Sequence, residues 1–303
     1  MFTPEKAKDP EFLDALTTIR PDLCITAAYG NFLPSKFLSI PRLGTLNIHP
    51  SLLPKYRGAA PVQRCLENGD NKSGVSIVFT VLKMDAGPIL RQIEIPLTGD
   101  EKASEFLLNM FKLGTKELLD ALPSVIDGTA KSQLRQQIEE DATPADKLST
   151  NEAMVDFSTM NAKVIHNKMR GFSIWPGILL IMLLITLLLS LSLSSLSLLL
   201  LLLGIWSTFQ IGSEIIRLKI ITTKVLDETS NTNPDHLTQS VTLIKQNKIE
   251  MLKVTCGDGS SIGITELQPP GKKIMNVRSF INGLRDQPIV WTKPDITNSN
   301  ETD

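Results

Sequence analysis

The sequence predicts an α/β domain followed by a mostly β domain. Residues 23–28 form a short apolar run between two helical segments, which is typical of a buried strand in a parallel sheet. A long amphipathic helix is predicted over 102–122, and beyond residue 133 the pattern changes to short strands separated by Asn, Asp, Gly and Pro turns. Two domains are expected in 303 residues, because single cores rarely grow beyond ~250–300 residues.

The first elements form a predicted β-α-β unit. Residues 11–20 carry apolar side chains at helical spacing, and the apolar strand over 23–28 follows them. A short helix over 34–38 and a second strand over 44–49 complete the unit.

Four further elements complete the predicted α/β domain. A helix is expected over 60–67. Strands over 75–81 and 89–95 are predicted to pair as a hairpin around the Asp-Ala-Gly sequence at 85–87. The amphipathic helix over 102–122 then supplies an apolar stripe.

The composition changes after this helix and suggests the domain boundaries. We predict a catalytic-type α/β domain over 1–132, a polar linker over 133–155, a second domain over 156–292 and a tail over 293–303. The second domain contains a predicted helix over 161–170. Its short strands, which indicate a small β-barrel or sandwich, are predicted at 215–221, 249–255 and 261–266.

A Leu/Ser-rich segment over 178–204 interrupts the second domain. It contains 27 residues with 16 Leu, 5 Ser and no charge, long enough to cross a hydrocarbon core of about 30 Å. Its low complexity and its flanks favour an inserted stretch, such as a translated intron, over a membrane anchor. Without it, Trp175-Pro176-Gly177 would lead directly into the strand-like sequence that begins Ile205-Trp206.

Charge and cysteine content exclude several functional classes. Lys and Arg total 31 against 32 Asp and Glu, so no overall charge indicates a nucleic-acid coat or a polybasic membrane binder. Cys24, Cys65 and Cys256 are far apart, which predicts a reducing compartment and no structural zinc. Residues 1–10 are charged and lack the apolar or Arg-rich pattern of a targeting signal.

Asn47 and His49 stand two residues apart at the end of a predicted strand, so their side chains point to the same face. An amide N–H beside an imidazole can stabilise one developing oxyanion, as acyl transfer requires. Taken alone, this pair is more simply explained as hydrogen bonding within the loop. The other two histidines, His166 and His236, are predicted to lie on the surface.

The longer sequence around this pair resembles the folate-dependent formyltransferases. Its parts are NIHPSLLPKYRGAAPVQ at 47–63 and MDAGPIL at 84–90. The resemblance implies a Rossmann-like domain that takes a formyl group from 10-formyltetrahydrofolate without a metal. By position, it places the catalytic roles on Asn47, His49 and Asp85: the first two as oxyanion donors, and the acid as the partner of the imidazole and a proton relay.

The same resemblance implies a substrate pocket around these residues. Arg57 is equally well explained as a substrate contact or as an anchor of its loop. The residues expected to bind substrate or folate are Tyr29, Gly30, Ser51, Leu52, Leu53, Pro54, Arg57 and Gly58.

The second half is similar to the methionyl-tRNA formyltransferase family. The shared sequences are ATPADKL at 142–148, WP at 175–176 and ELQPPGKKIM at 266–275. The resemblance implies an OB-like second domain, a monomer, and methionyl-tRNA and folate as partners. We expect contacts with tRNA phosphates at Lys272, Lys273, Arg278 and Arg285. Basic and acidic residues balance over 207–303, however, and a solvated face explains this basic cluster equally well.

The family has additional βα units before the strand predicted here at 23–28, whereas only 22 residues precede it in this sequence. A βαβ unit takes ≈ 30 residues or more, so we expect a late start in the gene model. An intron-like insert favours the mitochondrial matrix, with the bacterial cytoplasm as the alternative.

Three other interpretations stay open. The chain could formylate a small amine, such as an amino sugar or glycinamide ribotide, although this does not explain the ELQPPGKKIM sequence. It could be a membrane-anchored protein without activity, if 178–204 spans a bilayer. It could also be an inactive truncated form, since a sheet without its first strands exposes an unpaired edge.

Overall fold

The computed structural model describes residues 2–173, 204–226, 241–285 and 287–294. These residues fall into two compact units. The first unit contains 2–65 and 70–147, and the second contains 66–69, 148–173 and the described residues from 204 onward.

The first unit alternates helices and strands, as predicted. α1 begins at Pro10, where the Asp9 side chain accepts a hydrogen bond from the Phe12 N–H, so an N-cap and a proline together fix its start. The elements are α1 (Pro10–Ile19), β1 (Cys24–Ala27), α2 (Ser35–Leu38), β2 (Thr45–His49), α3 (Pro61–Asn68), β3 (Lys72–Phe79), β4 (Ile89–Pro96) and α4 (Ala103–Ile126).

The four strands form one sheet in the order β1-β2-β3-β4. β1 and β2 are parallel, with Thr26 opposite Asn47, which confirms the predicted β-α-β unit. β3 and β4 are antiparallel, which confirms the predicted hairpin around 85–87. In the antiparallel pair of β2 and β3, His49 lies opposite Ser76.

The core of this unit lies between the sheet and α4. Leu46 and Ile48 of β2 pack with Val75 and Ile77 of β3 against Leu118 of α4. Burial of each such side chain contributes about 1.5–3 kcal/mol. The strand that carries Asn47 and His49 is therefore held rigidly in the sheet.

β1 is less buried than its sequence predicts. It lies at the edge of the described sheet, and its side chains alternate between partly buried and exposed positions. Ile25 is 48% exposed. The prediction of a buried strand is wrong within the described residues, because no described strand pairs with the outer edge of β1.

The second unit is mostly β, as predicted. Its helices are α5 (Ala162–Gly171) and α6 (Val277–Gly283). Its strands are β5 (Ile205–Ile211), β6 (Glu214–Leu226), β7 (Val241–Gln246), β8 (Ile249–Thr255), β9 (Ser261–Gln268), β10 (Met275–Asn276) and β11 (Ile289–Thr292).

These strands form one antiparallel sheet in the order β11-β5-β6-β9-β8-β7, with β10 paired to β9. Sequence patterns predict β6, β8 and β9, and indicate β5 once the Leu/Ser segment is set aside. They miss β7, β10, β11 and α6, which are short or largely exposed and so carry weak hydrophobic periodicity.

Aromatic side chains form part of the core of the second unit. The ring centroid of Phe157 lies 5.7 Å from that of Trp291 and 6.2 Å from that of Phe209. The Trp291 Nε1–H donates to Ser207 Oγ at 2.8 Å, and this hydroxyl donates to the Val155 carbonyl at 2.7 Å. Val155 is fully buried and lies in the stretch 133–155 that the sequence suggests as a linker.

The Leu/Ser-rich segment over 178–204 lies outside the described residues except for Gly204. In the part of the chain that the structure describes, no helix has both the length and the apolarity needed to cross a membrane.

His166 is buried, in contrast to the prediction that it lies on the surface. It is 8% exposed, and its Nδ1 lies 2.9 Å from Thr223 Oγ1 of β6. The polar side of α5 packs against β6, so a polar sequence here does not mark a solvated face. The second predicted surface histidine, His236, lies outside the described residues.

The three cysteines are free thiols. Burial raises the pKa of Cys256 to about 12 and also raises the pKa of Cys24. Such thiols are poor nucleophiles at neutral pH. Within the described ranges, no group of three or more His, Cys, Asp or Glu side chains could hold a metal ion.

Candidate functional site

His49 lies at the carboxyl end of β2 and is 3% exposed. Its Nε2 lies 2.8 Å from the carbonyl oxygen of Tyr56. Because a carbonyl only accepts hydrogen bonds, Nε2 carries a proton in this arrangement. The ring is thereby oriented so that Nδ1 points to the other side.

Asp85 is the group that faces Nδ1. Its Oδ1 lies 3.7 Å from His49 Nδ1, a distance suited to an ion pair but too long for a direct hydrogen bond. Its Oδ2 accepts the backbone N–H of Gly58 at 2.9 Å. The structure therefore brings Asp85 to His49 from a distant part of the sequence, and the Gly58 amide fixes the direction of the carboxylate.

Asn47 is partly buried beside this pair, and Thr26 of β1 orients its amide. The Thr26 Oγ1–H donates to Asn47 Oδ1 at 2.9 Å. Asn47 Nδ2 makes no hydrogen bond with the described residues, so it remains available as a donor. Sequence reasoning missed Thr26, because only the pairing of β1 with β2 places it opposite Asn47.

Polar side chains from β3 and β4 anchor the loop that follows His49. The Ser76 hydroxyl donates to the carbonyl of Ser51 at 2.7 Å, and it accepts the N–H of Leu53 at 3.2 Å. The Gln92 amide N–H donates to the Leu53 carbonyl at 2.9 Å. The Ser51 hydroxyl donates to the Lys55 carbonyl. Ser51 is therefore engaged in shaping the loop.

The other predicted pocket residues of this loop face a different space. Leu53 packs into a small core with Val78 and Ile89. With Leu52 and Pro54, it also lines a cavity of about 470 Å³ that includes neither Asn47, His49 nor Asp85 among its lining residues. The structure does not place these three loop side chains in one cavity with the predicted catalytic residues.

Tyr29 and Gly30 follow β1 at the same sheet edge as His49, because β1 and β2 are parallel. Tyr29 is 41% exposed, and a Cβ added at Gly30 would meet no atom within 4 Å. This position is open enough to admit a ligand.

Arg57 is an anchor of its loop. Its Nε and Nη2 donate to Gln137 Oε1 at 3.1 and 2.9 Å, and its Nη1 donates to both Glu139 carboxylate oxygens. Lys83 also pairs with Glu139. Hydrogen bonding from Lys83, and then from Arg57, lowers the pKa of Glu139.

Gly58 occupies a position that only glycine fits. Its φ is +132°, and a Cβ there would lie 2.6 Å from the carbonyl oxygen of Ala145. The close approach is fixed by backbone hydrogen bonds between Arg57 and its neighbours Thr143 and Ala145. The amide that holds Asp85 is therefore locked in place on both sides.

The predicted phosphate-binding residues of the second unit are all exposed. Lys272 and Lys273 lie in the loop after β9, where the Gln268 side chain donates to the Lys272 carbonyl at 2.9 Å. Arg278 lies on α6, and Arg285 follows this helix. These side chains are accessible to a polyanion, and the loop that carries the two lysines is anchored to the sheet.

Lys219 of β6 is a cation in an unfavourable environment. It lies opposite Trp206 on β5 and Gln268 on β9, and its Nζ is buried without a hydrogen-bond partner among the described residues. Burial, followed by the nearby Arg217 charge, lowers the pKa of Lys219 from 10.5 to about 8. The folded state therefore binds this proton less tightly than the unfolded state does.

We expect the stability of the second unit to rise with pH between about 8 and 10.5, because the unfolded chain binds more protons there. Lys219→Met should flatten this rise and increase the free energy of unfolding at pH 7 by about 1–2 kcal/mol, allowing for solvent screening of a half-buried group. Urea unfolding followed by tryptophan fluorescence reports on this half, since all three tryptophans lie beyond residue 147. Lys224→Met on the exposed side of β6 is the control. If the free energy of unfolding changes equally with pH in both variants, the prediction is contradicted.

Two family models match the chain. The first, described as formyl transferase, matches residues 1–122. The second, described as formyl transferase, C-terminal domain, matches 147–194 and 204–285. Both halves of the chain are therefore similar to formyl transferases.

Curated relatives are named methionyl-tRNA formyltransferase. The protein of Pediococcus pentosaceus is 32% identical over 284 residues, which cover 94% of this chain and 76% of the relative. The protein of Enterococcus faecalis is 33% identical over 284 residues, covering 94% of this chain and 78% of the relative.

Solved structures share the fold at low sequence identity. HypX from Aquifex aeolicus in complex with tetrahydrofolic acid has a TM-score of 0.57 at 14% identity, covering 92% of this chain and 42% of HypX. The chain thus spans less than half of HypX. WlaRD, a sugar 3N-formyl transferase, has a TM-score of 0.53 at 16% identity, covering 85% of this chain and 77% of WlaRD.

Proposed function

This chain belongs to the methionyl-tRNA formyltransferase family, and on that premise we propose that it transfers a formyl group from 10-formyltetrahydrofolate to the α-amine of methionyl-tRNA. One observation carries the proposal: the Asp85 carboxylate lies 3.7 Å from His49 Nδ1 at the carboxyl end of β2, the strand that also carries Asn47. This edge is where open α/β sheets bind ligands.

The donors at this edge fit a folate that carries a formyl group. Such a folate supplies the formyl carbon on N10, and the formyl oxygen needs hydrogen-bond donors as negative charge develops on it. Asn47 Nδ2 is a donor without a partner among the described residues, because Thr26 holds the other end of the amide. The residues therefore fit this co-substrate.

His49 is the second donor. With a proton on both ring nitrogens, it donates Nε2–H to the Tyr56 carbonyl and directs Nδ1–H to the side of Asp85. At 3.7 Å, Nδ1–H makes no hydrogen bond with Oδ1, so it can donate to a substrate oxygen that lies on this side of the ring. Asp85, the carboxylate within 4 Å of this ring among the described residues, can take up the proton lost by the attacking amine and return it to N10 as the bond between the formyl carbon and N10 breaks and tetrahydrofolate leaves.

A transfer assay tests the proposed function. The purified full chain is incubated with 10-formyltetrahydrofolate carrying a labelled formyl group and with methionyl-tRNA, free methionine, an amino-sugar nucleotide or glycinamide ribotide in parallel. Label is expected on methionyl-tRNA alone. Label on a small amine instead would replace the proposed substrate, and no transfer to any acceptor would overturn the proposed activity.

Lys272 and Lys273 should contribute to tRNA binding through phosphates. Replacing both by Glu should reduce the magnitude of the slope of log K for tRNA binding against log salt concentration by about 1.8, since each phosphate contact contributes ≈ 0.9. The same double replacement at Lys112 and Lys116 of α4, in the other unit, should leave the slope unchanged. Equal slopes for both double variants would exclude the two loop lysines as phosphate contacts.

We also propose that the protein works in the mitochondrial matrix, with the bacterial cytoplasm as the alternative compartment. The intron-like composition of 178–204 supports the organelle. Fractionation of the source cells with an antibody against the chain tests this assignment, and detection in the cytosol alone would exclude the organelle.

A further inference from the structure

Gln137 connects the two loops that build the site. The backbone of Arg135 pairs with that of Ile89 in antiparallel fashion, through hydrogen bonds of 2.8 and 2.9 Å. Two residues further along, this register places Gln137 opposite Gly87, at the turn that carries Asp85. Gln137 is half-buried and lies outside the hydrophobic clusters of the unit.

Every hydrogen-bonding position of the Gln137 amide is used. Its Nε2 donates to the carbonyl oxygens of Asp85 and Gly87, both at 2.7 Å. Its Oε1 accepts Nε and Nη2 of Arg57, at 3.1 and 2.9 Å. A primary amide has two donors and two acceptor positions, so this side chain is fully committed to the two loops.

The turn held by these bonds is strained. Asp85 has φ +48°, a left-handed conformation that costs a non-glycine residue about 1 kcal/mol or more. A Cβ added at Gly87 would lie 1.8 Å from the Phe79 carbonyl oxygen, so the turn also packs closely against the end of β3. Bonds to the carbonyls on both sides of Ala86 hold the backbone in this conformation.

The same amide also fixes the partner of the carboxylate. Arg57 directly precedes Gly58, whose N–H binds Asp85 Oδ2. Gln137 therefore sets the backbone that carries Asp85 and, through Arg57, the amide that directs its carboxylate. Both effects act on the distance between Asp85 and His49.

We propose that Gln137 is a positioning residue for formyl transfer, which holds the Asp85 carboxylate against His49 by joining the 85–87 turn to Arg57. This inference rests on the proposed function. Gln137 touches no reacting atom in it and acts through Asp85.

Gln137→Glu is the sharpest variant, because it keeps an acceptor for Arg57 and removes both donors to the turn. We expect kcat to fall about 10- to 100-fold with KM for both substrates changed less than about threefold, since a small misplacement of a reacting group has this effect. When Asp85 is already replaced by Asn, Gln137→Glu should lower kcat by less than about a further threefold, because the two residues act as one unit. A full additive loss in the double variant would overturn the positioning role.

Glu139→Gln is the matched control. It removes one carboxylate from the outer end of the same network, where Glu139 pairs with Arg57 and Lys83 without touching the turn. Its kcat should stay within about threefold of the parent, because the Glu139 side chain is 57% exposed and the introduced amide can still accept a hydrogen bond from Arg57. An equal loss in Glu139→Gln would assign the effect to the network as a whole and overturn the specific role of Gln137.

A second measurement does not depend on activity. Amide hydrogen exchange at Gly58, followed by NMR, should be at least about 10-fold faster in Gln137→Glu than in the parent or Glu139→Gln, because the acceptor at Asp85 Oδ2 is displaced. Unchanged exchange overturns the inference even if the parent formylates no acceptor. An inactive parent with accelerated exchange would overturn the proposed function and leave the positioning of Asp85 by Gln137 established.

Discussion

Replacing Asp85 by Asn should lower kcat/KM for formyl transfer by about 10²–10⁴-fold, the range seen when the acid behind a catalytic imidazole is made neutral. The carbonyl oxygen of the introduced amide can still accept the Gly58 N–H, so the turn keeps its shape. The amide NH₂ would instead face His49 Nδ1, and it carries no negative charge to stabilise a second proton on the ring. With Nε2–H committed to Tyr56, the neutral ring then has no N–H left for the substrate.

Steady-state formylation of methionyl-tRNA by the full chain measures this effect. The control is Asp22→Asn, which removes an exposed carboxylate paired with Arg42 and should keep the rate within about twofold. Thermal unfolding of both variants checks that the fold is intact. An active parent whose Asp85→Asn variant retains more than about a tenth of its rate would remove Asp85 from the mechanism.

Replacing Asn47 by Ala should lower kcat by about 10²–10³-fold, equivalent to about 2.7–4 kcal/mol, because one preorganised donor to the developing oxyanion is lost. The fold should tolerate this change. Thr26 Oγ1 loses its acceptor on Asn47 but still has the Leu46 carbonyl at 3.3 Å. Single-turnover formylation, combined with a measurement of folate affinity, separates the loss in rate from any loss in binding.

Thr26→Val is the companion variant for this prediction. It has nearly the same shape and removes only the hydroxyl that orients the Asn47 amide. The rate should fall about three- to tenfold, since the amide is still present but no longer held. If Thr26→Val loses as much rate as Asn47→Ala, Thr26 does more than orient the amide. If Asn47→Ala keeps the rate within a factor of two of the parent, Asn47 is excluded as an oxyanion donor.

The pairing of Asn47 with His49 could be predicted because it is a local property of a strand, in which residues i and i+2 share a face. The hairpin that carries Asp85 could be predicted from two apolar runs around a turn sequence. Neither pattern contains the distance between Asp85 and His49. The resemblance to formyltransferases linked these residues, and the structure then showed the 3.7 Å contact.

Other features could not be predicted, for identifiable reasons. His166 lies on a helix with a polar composition, and only its packing against β6 buries it beside Thr223. Gln137 belongs to a polar stretch that resembles a linker. Its role could not be predicted, because its partners are two backbone carbonyls and a guanidinium about 50 to 80 residues away. Backbone carbonyls are present at every residue and leave no signal in a sequence.

By itself, the sequence determined the order of helices and strands in the first unit, the two-part architecture and the strand end that presents Asn47 and His49. These follow from periodicity and turn residues, which are encoded over stretches of about 5 to 20 residues. Only the tertiary structure decided how Thr26 orients Asn47 and how Gly58 and Gln137 orient Asp85. Such contacts depend on strand register and on the left-handed backbone at Asp85, which are set by packing across the whole unit.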